Sequence, residues 1–451
     1  MIHFIGIGGI GMSALARLLL ARGVAVSGSD LRKTPLVERL QSEGARIAIG
    51  HRAENVEGAE RVVVSSAVDA ENPELARARG LNIPIVGRGE LLAELTKGKR
   101  TIAVAGTHGK TTTTAMIACV LEAAGIDPTV AIGGERLDSL SNARAGNGPW
   151  FVTESDESDG SFLRLEPTIA VVTNVENDHV ANDEEWERLR EDFERFVGKI
   201  PIAGLLIAGV DDERTAALAK LDAGVPVLSY ALAAPQADLR ARVERFEDFG
   251  TVSEISLHGK TLGTLRMRVP GEINVQNALA ALAVAHYLGI DFDVAAEALA
   301  GFAGVRRRFE FLARTPRFTV VDDYAHHPTA VRATIATARR YHRGPVVVAF
   351  EPHRYTRTKY LAADFASALA GADEVILAPV YAASEPPLAG ISSRSIGERL
   401  ERVAYVDAVD ELPAYLREHA PDGALVLMLG AGTISAVAHR LAESFPEHAV
   451  R

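Results

Sequence analysis

One cysteine, Cys119, is all that this 451-residue chain contains. No disulfide framework can form within a single copy, which suits a reducing compartment. Cys119 itself falls on an apolar helical pattern that marks it as core. A basic excess is missing too: 48 Lys and Arg stand against 59 Asp and Glu, a net charge of −11. That balance argues against a general nucleic-acid binder. It also gives weight to any Lys or Arg inside a motif, since an acidic protein that handles anions must gather its cations locally. A secretory leader and a membrane span are not evident: the apolar N-terminus lacks a basic segment and is broken by Gly6, Gly8, Gly9 and Gly11. The expectation is a cytoplasmic protein that engages neither membrane nor nucleic acid. Apolar residues make up 47% and charged residues 24%, as in ordinary soluble enzymes. The length exceeds one core, so about two to four domains are expected.

What is present centres on Thr101–Thr114, TIAVAGTHGKTTTT. Thr101–Ala105 is short, apolar and β-prone. After Gly106-Thr107-His108-Gly109 an apolar helical pattern runs through Ala115, Ile117, Ala118, Val120 and Leu121 to a stop at Gly125. A strand feeding a Gly-rich turn and a helix makes an anion cradle, because loop amides and the helix N-terminus aim positive charge at one spot. Lys110 can reach the outer phosphates of a nucleotide, and the Thr111 hydroxyl can ligate Mg²⁺. The full pattern G-x-x-x-x-G-K-[ST] would need Gly at Val104, so only the shorter core Gly106–Thr112 is present. His258-Gly259-Lys260-Thr261 repeats the tail HGKT, but alternating residues flank it and no helix follows, so it reads as a hairpin turn.

Ile2–Ile5 reads as a strand, followed by Gly6-Ile7-Gly8-Gly9-Ile10-Gly11 and a helix through Leu20. This is G-x-G-x-x-G in strand–turn–helix context, and a second strand, Val24–Ser27, ends at Ser29-Asp30, where an acid often meets a ribose. The loop cradles any pyrophosphate: NAD, another diphosphate ligand and a purely structural turn are all compatible with it. Ala45–Ile49, Arg61–Ser65 and Ile83–Val86 are further strands, and Leu95–Lys99 is a polar break.

Beyond the phosphate loop, two apolar strands end in acids. Phe151–Thr153 runs into Glu154-Ser155-Asp156-Glu157-Ser158-Asp159-Gly160, and Ile169–Thr173 into Asn174-Val175-Glu176-Asn177-Asp178-His179. Carboxylate and imidazole beside such a loop suit Mg²⁺, although Asp156–Asp159 also reads as a solvated acidic loop. Asp183–Glu194 reads as an exposed helix face. Asn274 and Asn277 share one face at the start of an apolar helix, Ala278–Leu288, where Asn274 also reads as its N-cap. Arg306-Arg307-Arg308 is either a phosphate-directed cluster or a solvated run. From Phe311 a third α/β unit begins. Its strands Phe318–Val321 and Val346–Phe350 deliver Asp322–Thr329 and Glu351–Thr358; Glu374–Ala378 and Leu425–Leu429 follow, with Tyr381–Ile391 as a loop. There is no internal repeat beyond this threefold α/β recurrence.

Taken together, GTHGKTTT (106–113), ESDESDGSFL (154–163), VTNVENDH (172–179), the Asn274/Asn277 pair, RRRFE (306–310), DDYAHHPT (322–329) and EPHRYTRT (351–358) resemble the Mur ligases, in the same order and from end to end. The resemblance implies an α/β protein of three domains. These are an N-terminal Rossmann-like nucleotide-sugar-binding domain (1–98), a central P-loop ATPase-like domain (99–310) and a C-terminal Rossmann-like domain for the incoming amino acid (311–451). The opening HFIGIGGIGMSALARLL with SGSD (27–30) is most similar to members that join L-alanine to UDP-N-acetylmuramate. Members that add a recycled tripeptide to the same sugar usually differ in this loop. The implied chemistry uses ATP and Mg²⁺: the muramoyl carboxylate becomes an acyl phosphate, which the amine then attacks.

By the same resemblance, Gly106, Thr107, His108, Gly109, Lys110, Thr111 and Thr112 hold ATP with Asn274, Asn277, Arg308 and Asp323. Thr111, Glu154 and His179 hold the metal. Gly8, Gly9, Ile10, Gly11, Ser29, Asp30 and Ser66 meet the UDP-sugar. His326, His327, His353, Arg354 and Arg357 meet carboxylates, where an Arg fork is the natural partner. With Lys110 and His179, the residues His327, Arg354 and Arg357 form the implied catalytic set. Several members carry a carbamoylated lysine a short way beyond the histidine matching His179. Here that stretch reads Asp192–Phe196 with Lys199 out of step, so the modification is not assigned. An NAD-linked oxidoreductase and a regulatory nucleotide switch are the rival classes. The first leaves Lys110 unexplained and the second leaves the basic third unit unexplained.

Overall fold

The computed structural model describes residues 1–157, 160–176, 183–221, 224–383, 385–448 and 450. The chain forms two compact units. One comprises Met1–Arg242, Ser253–Arg266 and Val275–Phe302; the other comprises Val243–Val252, Met267–Asn274 and Ala303–Arg451. No helix among the described residues is long and apolar enough to cross a membrane.

The first sheet comprises β1 (Ile2–Ile5), β2 (Val26–Asp30), β3 (Arg46–Ile49), β4 (Arg61–Val64) and β5 (Ile85–Gly87), in the order β3-β2-β1-β4-β5. All its pairings are parallel. Its helices are α1 (Ile10–Ala21), α2 (Pro35–Ser42), α3 (Pro73–Gly80) and α4 (Arg88–Thr96). The second strand runs three residues further than its sequence pattern suggests: parallel pairing continues to Ser29 on β1 and to Asp30 on β3. Ser29 is therefore wholly buried.

The second sheet comprises β6 (Arg100–Ala105), β7 (Thr129–Ala131), β8 (Ala143–Arg144), β9 (Trp150–Glu154), β10 (Ile169–Val172), β11 (Leu205–Gly209), β12 (Val227–Ala231), β13 (Leu239–Glu247), β14 (Gly250–Leu257) and β15 (Lys260–Met267). Their order is β15-β14-β13-β12-β11-β10-β6-β9-β7-β8. Ile102–Ala105 are fully buried, the continuous apolar run that a central parallel strand needs. His258 and Gly259 make the two-residue link between β14 and β15, at φ 48° and 77°, so the second HGKT is a hairpin turn. Helices α5 (Lys110–Ala123), α6 (Asp183–Val197), α7 (Glu213–Leu218), α8 (Glu272–Tyr287) and α9 (Phe292–Gly301) accompany this sheet. α6 is more than an exposed face, because Phe193, Phe196 and Val197 are buried. Cys119 is only half-buried; its thiol lies 3.4 Å from the Ala298 carbonyl and burial raises its pKa.

The third sheet is β16 (Glu310–Arg314), β17 (Phe318–Asp323), β18 (Val346–Phe350), β19 (Glu374–Leu377), β20 (Val403–Tyr405) and β21 (Ala424–Leu429), ordered β16-β17-β21-β18-β19-β20. Only β16 is antiparallel to its neighbour. Its helices are α10 (Pro328–Tyr341), α11 (Tyr355–Leu369), α12 (Arg394–Gly397), α13 (Leu412–His419) and α14 (Ile434–Glu443). The C-terminal ends of β17 and β18 deliver the loops rich in ionisable residues, where parallel sheets place ligands.

In the first unit, one buried cluster runs through Phe4, Leu15 and Leu18 to Ala103, Phe151, Phe162 and Phe193, so its two sheets share a core. A polar rivet crosses this core. Asn142 is fully buried, its Nδ2 donates to Ile10 O (2.7 Å) and Ser13 Oγ (2.8 Å), and its Oδ1 accepts from Arg17 (2.7 Å). Asn142→Ala strands all three groups and should cost about 2–3 kcal/mol. Both tryptophans, Trp150 and Trp186, lie in this unit, so the urea midpoint read by their fluorescence should fall; an unmoved midpoint would show that the rivet contributes nothing.

Candidate active site

The phosphate loop is built around two positions with no room for a side chain. Gly106 sits at φ 127°, and a Cβ there would lie 2.2 Å from Thr173 Oγ1. Gly109 sits at φ 83°, and its Cβ would lie 2.6 Å from Asn277 Oδ1. Both positions are strained for any L side chain. Asn174 clamps the loop by accepting from His108 N (2.8 Å) and donating to His108 O (3.0 Å). Thr107 Oγ1 accepts from Glu176 N at 2.8 Å. The loop thus arrives at α5 with its amides held for an anion.

Lys110 Nζ meets both oxygens of Glu157, at 3.0 and 2.9 Å, and the Gly106 carbonyl at 2.5 Å. Glu157 is buried, and burial pushes its carboxyl pKa up even against the attraction of Lys110. The solvated-loop reading therefore fails at Glu157, whose partner is a cation from another motif; Ser158 and Asp159 lie outside the described residues. Thr111 Oγ1 donates to Glu154 at 2.7 Å from the last residue of β9. A hydroxyl and a carboxylate at the head of α5 are the hard oxygen donors that Mg²⁺ takes. His179 lies outside the described residues. Thr112 is buried in the first turn of α5. Thr113 donates to Asn277 Oδ1 at 3.1 Å, so Asn277 backs the loop. Asn274 does not share that role. α8 starts at Glu272, so Asn274 is its third residue, not its cap, and it donates to Pro270 O at 2.7 Å.

At the first sheet, Gly8 N donates to Asp30 Oδ2 at 2.9 Å, and a Cβ on Gly8 would lie 2.8 Å from that same oxygen. Asp30 therefore braces the glycine loop. Gly9 and Ile10 are exposed beyond it, and Gly11 lies under the Arg88 side chain. Arg88 reaches Asp156 at 3.3 Å. Ser66 is exposed in the turn after β4. Ser29 does not face that opening: its hydroxyl donates to Glu74 at 2.7 Å and lies 3.0 Å from His51 Nδ1. Neither Glu74 nor His51 stands out in the sequence, because neither belongs to a spaced motif.

In the second unit, the ends of β17 and β18 bring His326 and His353 together, with ring centroids 5.6 Å apart; His353 also stacks on Tyr381. Burial, with Arg357 and Arg354 nearby, lowers the His353 pKa to about 4, so it works as a neutral imidazole. Its Nδ1 is buried without a hydrogen-bond partner among the described residues. Arg354 is exposed at φ 69°, an unfavourable conformation for a non-glycine residue. His327 is buried at the N-cap position of α10. Asp323 is raised to about 6 by burial, and its oxygens accept from Phe309 N (2.7 Å) and Ala325 N (2.8 Å).

The arginine run splits. Arg308 is exposed and lies over the Tyr324 ring, 5.1 Å from its centroid. Arg306 and Arg307 turn toward buried acids: Arg306 is 3.7 Å from Glu310 and Arg307 is 4.0 Å from Asp322. The solvated-run reading fails for these two. His439 joins the cluster 3.8 Å from Asp322. Glu310, Asp322 and His439 could geometrically surround a metal ion, but the two guanidinium groups already supply the positive charge.

These features define an ATP-dependent ligase of the Mur type, and the chain belongs to the Mur ligase family. Residues 1–100 match the Mur ligase family catalytic domain, 104–285 the Mur ligase middle domain and 307–432 the Mur ligase glutamate ligase domain. The chain is 44% identical to the UDP-N-acetylmuramate–L-alanine ligase of Carboxydothermus hydrogenoformans, over 98% of this chain and 96% of that one. It is 46% identical to the enzyme of the same name from Geobacter sp. (strain M21), over 96% and 95%. Among solved structures, the UDP-N-acetylmuramate–alanine ligase of Thermotoga maritima is 32% identical with a TM-score of 0.86, covering 99% of both chains. A murein peptide ligase from Psychrobacter arcticus is 25% identical with a TM-score of 0.75, covering 98% of both.

Burial raises the Glu310 carboxyl from 4.5 to about 7. The native state then holds a proton that the unfolded chain releases between those values, so this group's contribution to stability falls as pH rises from 4.5 to about 7. Glu310→Gln keeps the shape without the charge. It should stabilise the second unit above neutral pH by up to about 2–3 kcal/mol and do little in acid. Hydrogen exchange of the β17 amides at both ends of that range tests this; an equal difference at both would rule out the ionisation.

Proposed function

We propose that this chain joins L-alanine to the lactyl carboxylate of UDP-N-acetylmuramate at the expense of ATP, in the cytoplasm, as a step in peptidoglycan precursor synthesis. The observation that carries the reading is the near-full-length identity of 44–46% to curated ligases of that name. The loop geometry around Lys110 supports it. In this reading residues 1–98 bind the UDP portion, 99–310 bind ATP and 311–451 bind the amino acid.

A carboxylate does not condense with an amine at neutral pH, because oxide is too poor a leaving group. Phosphorylation solves this. A carboxylate oxygen attacks the γ-phosphorus of ATP, ADP departs, and the acyl phosphate so formed carries phosphate as its leaving group. The deprotonated amine of alanine attacks the acyl carbon, the C–O bond to phosphate breaks, and the amide remains. The protein's share is positioning and charge neutralisation. The Gly106–Thr112 amides hold the phosphates, and Lys110, released from Glu157, faces the charge that grows on the transferred group. Thr111 and Glu154, with His179 by resemblance, would hold Mg²⁺, which neutralises phosphate oxygens when bound. Asn277 keeps the loop in shape from behind. In the second unit, Arg354 and Arg357 meet carboxylates, and a neutral His353 adds a hydrogen bond without further positive charge. Arg308 and Asp323 serve the nucleotide, and Asn274 shapes the start of α8.

Two measurements test this. Lys110→Ala should cost roughly 10²–10³ or more in turnover with the fold intact; near-normal turnover would remove the ATP-site assignment. Phosphate release should require both UDP-N-acetylmuramate and an amino acid. L-Alanine should be preferred and glycine poor but detectable, since one methyl is worth about 1–3 kcal/mol. Preference for an L-Ala-led tripeptide would instead indicate the murein peptide ligase activity.

A further inference from the structure

β21 runs into Gly430-Ala431-Gly432-Thr433 and then α14, a third strand, glycine turn and helix after those at Gly6–Gly11 and Gly106–Gly109. The anion that such a turn attracts is here supplied by the chain itself. Glu351, the residue after β18, is only 2% exposed. Its Oε1 accepts from Thr433 Oγ1 at 2.7 Å, and its Oε2 accepts from the amide of Ile434, the first residue of α14, at 3.0 Å. The glycines make room for this. A Cβ on Gly432 would lie 2.5 Å from Glu351 Oε2 and 2.5 Å from Tyr381 Cγ; one on Gly430, at φ 154°, would lie 3.0 Å from the Glu351 carbonyl oxygen. The other end of the turn is held as well. Gly430 N donates to Asp323 O at 3.2 Å, and Gly430 O accepts from Arg307 at 2.7 Å.

Glu351 opens the segment that carries His353, Arg354 and Arg357. Arg354 sits at φ 69°, a conformation that persists only where the surroundings over-determine it. On one side stands Tyr381. Its amide donates to Pro352 O at 2.8 Å, its carbonyl accepts from Arg354 N at 2.8 Å, and its ring stacks on His353. On the other side stands Glu351, whose amide donates to Leu429 O at 3.0 Å while its side chain is fastened to α14. Pro352 carries that position forward, because its ring fixes φ. We infer that Glu351 is a positioning residue: by filling the head of α14 with its carboxyl group, it holds Pro352–Arg354 against Tyr381 and keeps Arg354 in the strained conformation that meets the carboxylate of the incoming amino acid. The third glycine turn is thereby closed to any ligand of its own. The link to the amino acid rests on reading 311–451 as the amino-acid domain; the anchor does not.

Glu351→Ala empties this socket, whereas Glu351→Gln refills it, since the amide oxygen can accept from Ile434 N while the NH₂ donates to Thr433. Hydrogen exchange of the ligand-free protein reads the anchor. In Glu351→Ala the Arg354 and Tyr381 amides should exchange roughly tenfold faster, with the β19 amides unmoved. Acetate, which matches the atoms removed, should restore their protection, and chloride at equal ionic strength should not. Unchanged exchange, or chloride acting as well as acetate, overturns the anchor. Kinetics reads the consequence. Glu351→Ala should raise the KM for L-alanine roughly tenfold with kcat and the KM for ATP little changed, and Glu351→Gln should stay within about threefold of wild type. Acetate should lower the raised KM relative to wild type in the same buffer, where any competition by acetate for the amino-acid site is common to both. Faster exchange with an unmoved KM, or equal rises in the KM for alanine and for ATP, overturns the link to the amino acid while leaving the anchor standing. If wild type releases no phosphate in response to any amino acid, the reading of the site itself fails, and exchange still judges the anchor. Should Glu351→Ala not fold, Thr433→Val removes one of the two donors. It should move the same amides and the same KM in the same direction by roughly threefold; no change in either overturns the proposal.

Discussion

Thr173 Oγ1 occupies the place where a side chain on Gly106 would begin, and Asn277 Oδ1 does the same at Gly109. The working edge of the central sheet depends on that exclusion. Because the loop has no side chains at these points, β10 and α8 can close against its backbone, and the amides at the head of α5 stay aimed outward. Any Cβ there would push the clamp residues away and let the loop relax. The rigidity is steric, so it is present before any ligand arrives, which is what electrostatic preorganisation requires.

Charge is handled by one rule throughout: a buried ion has a partner that a motif elsewhere supplies. Lys110 is held by Glu157, Arg307 by Asp322, and Glu74 by hydrogen bonds from His3, Ser29, Arg52 and Asn55. Removing one member leaves an unpaired buried charge, which costs more than the pair contributes. The acidic balance of the chain therefore says little about its sites. Among the motif cations, Lys110 is paired with Glu157, while Arg354 and Arg308 are exposed.

Much of the fold was legible because parallel α/β units announce themselves. Apolar runs such as Ile102–Ala105 and Val346–Phe350 are strands buried on both faces, and the polar loops that follow them mark the ligand edge. Context also separated the two HGKT copies, since only one is followed by a helix. Less legible were the ends of elements. β2 runs on to Asp30 because its neighbours continue to pair with it, and α8 starts at Glu272, ahead of its apolar pattern. Pairing and packing set such limits, and neither is visible in a local pattern.

By itself the sequence determined the order of the α/β units, the phosphate loop with Lys110 and Thr111, and the family to which the chain belongs. These rest on contiguous residues whose spacing carries the chemistry. Tertiary structure alone decided which acid meets Lys110, that Ser29 turns inward, that Arg306 and Arg307 serve the core while Arg308 stays outside, and that Glu74 accepts from Ser29 and Asn55. Each of these joins residues far apart in the chain, and hydrogen-bond geometry in a closed interior admits only certain partners. A linear pattern records what a residue is able to do; the packed interior settles what is left for it to do.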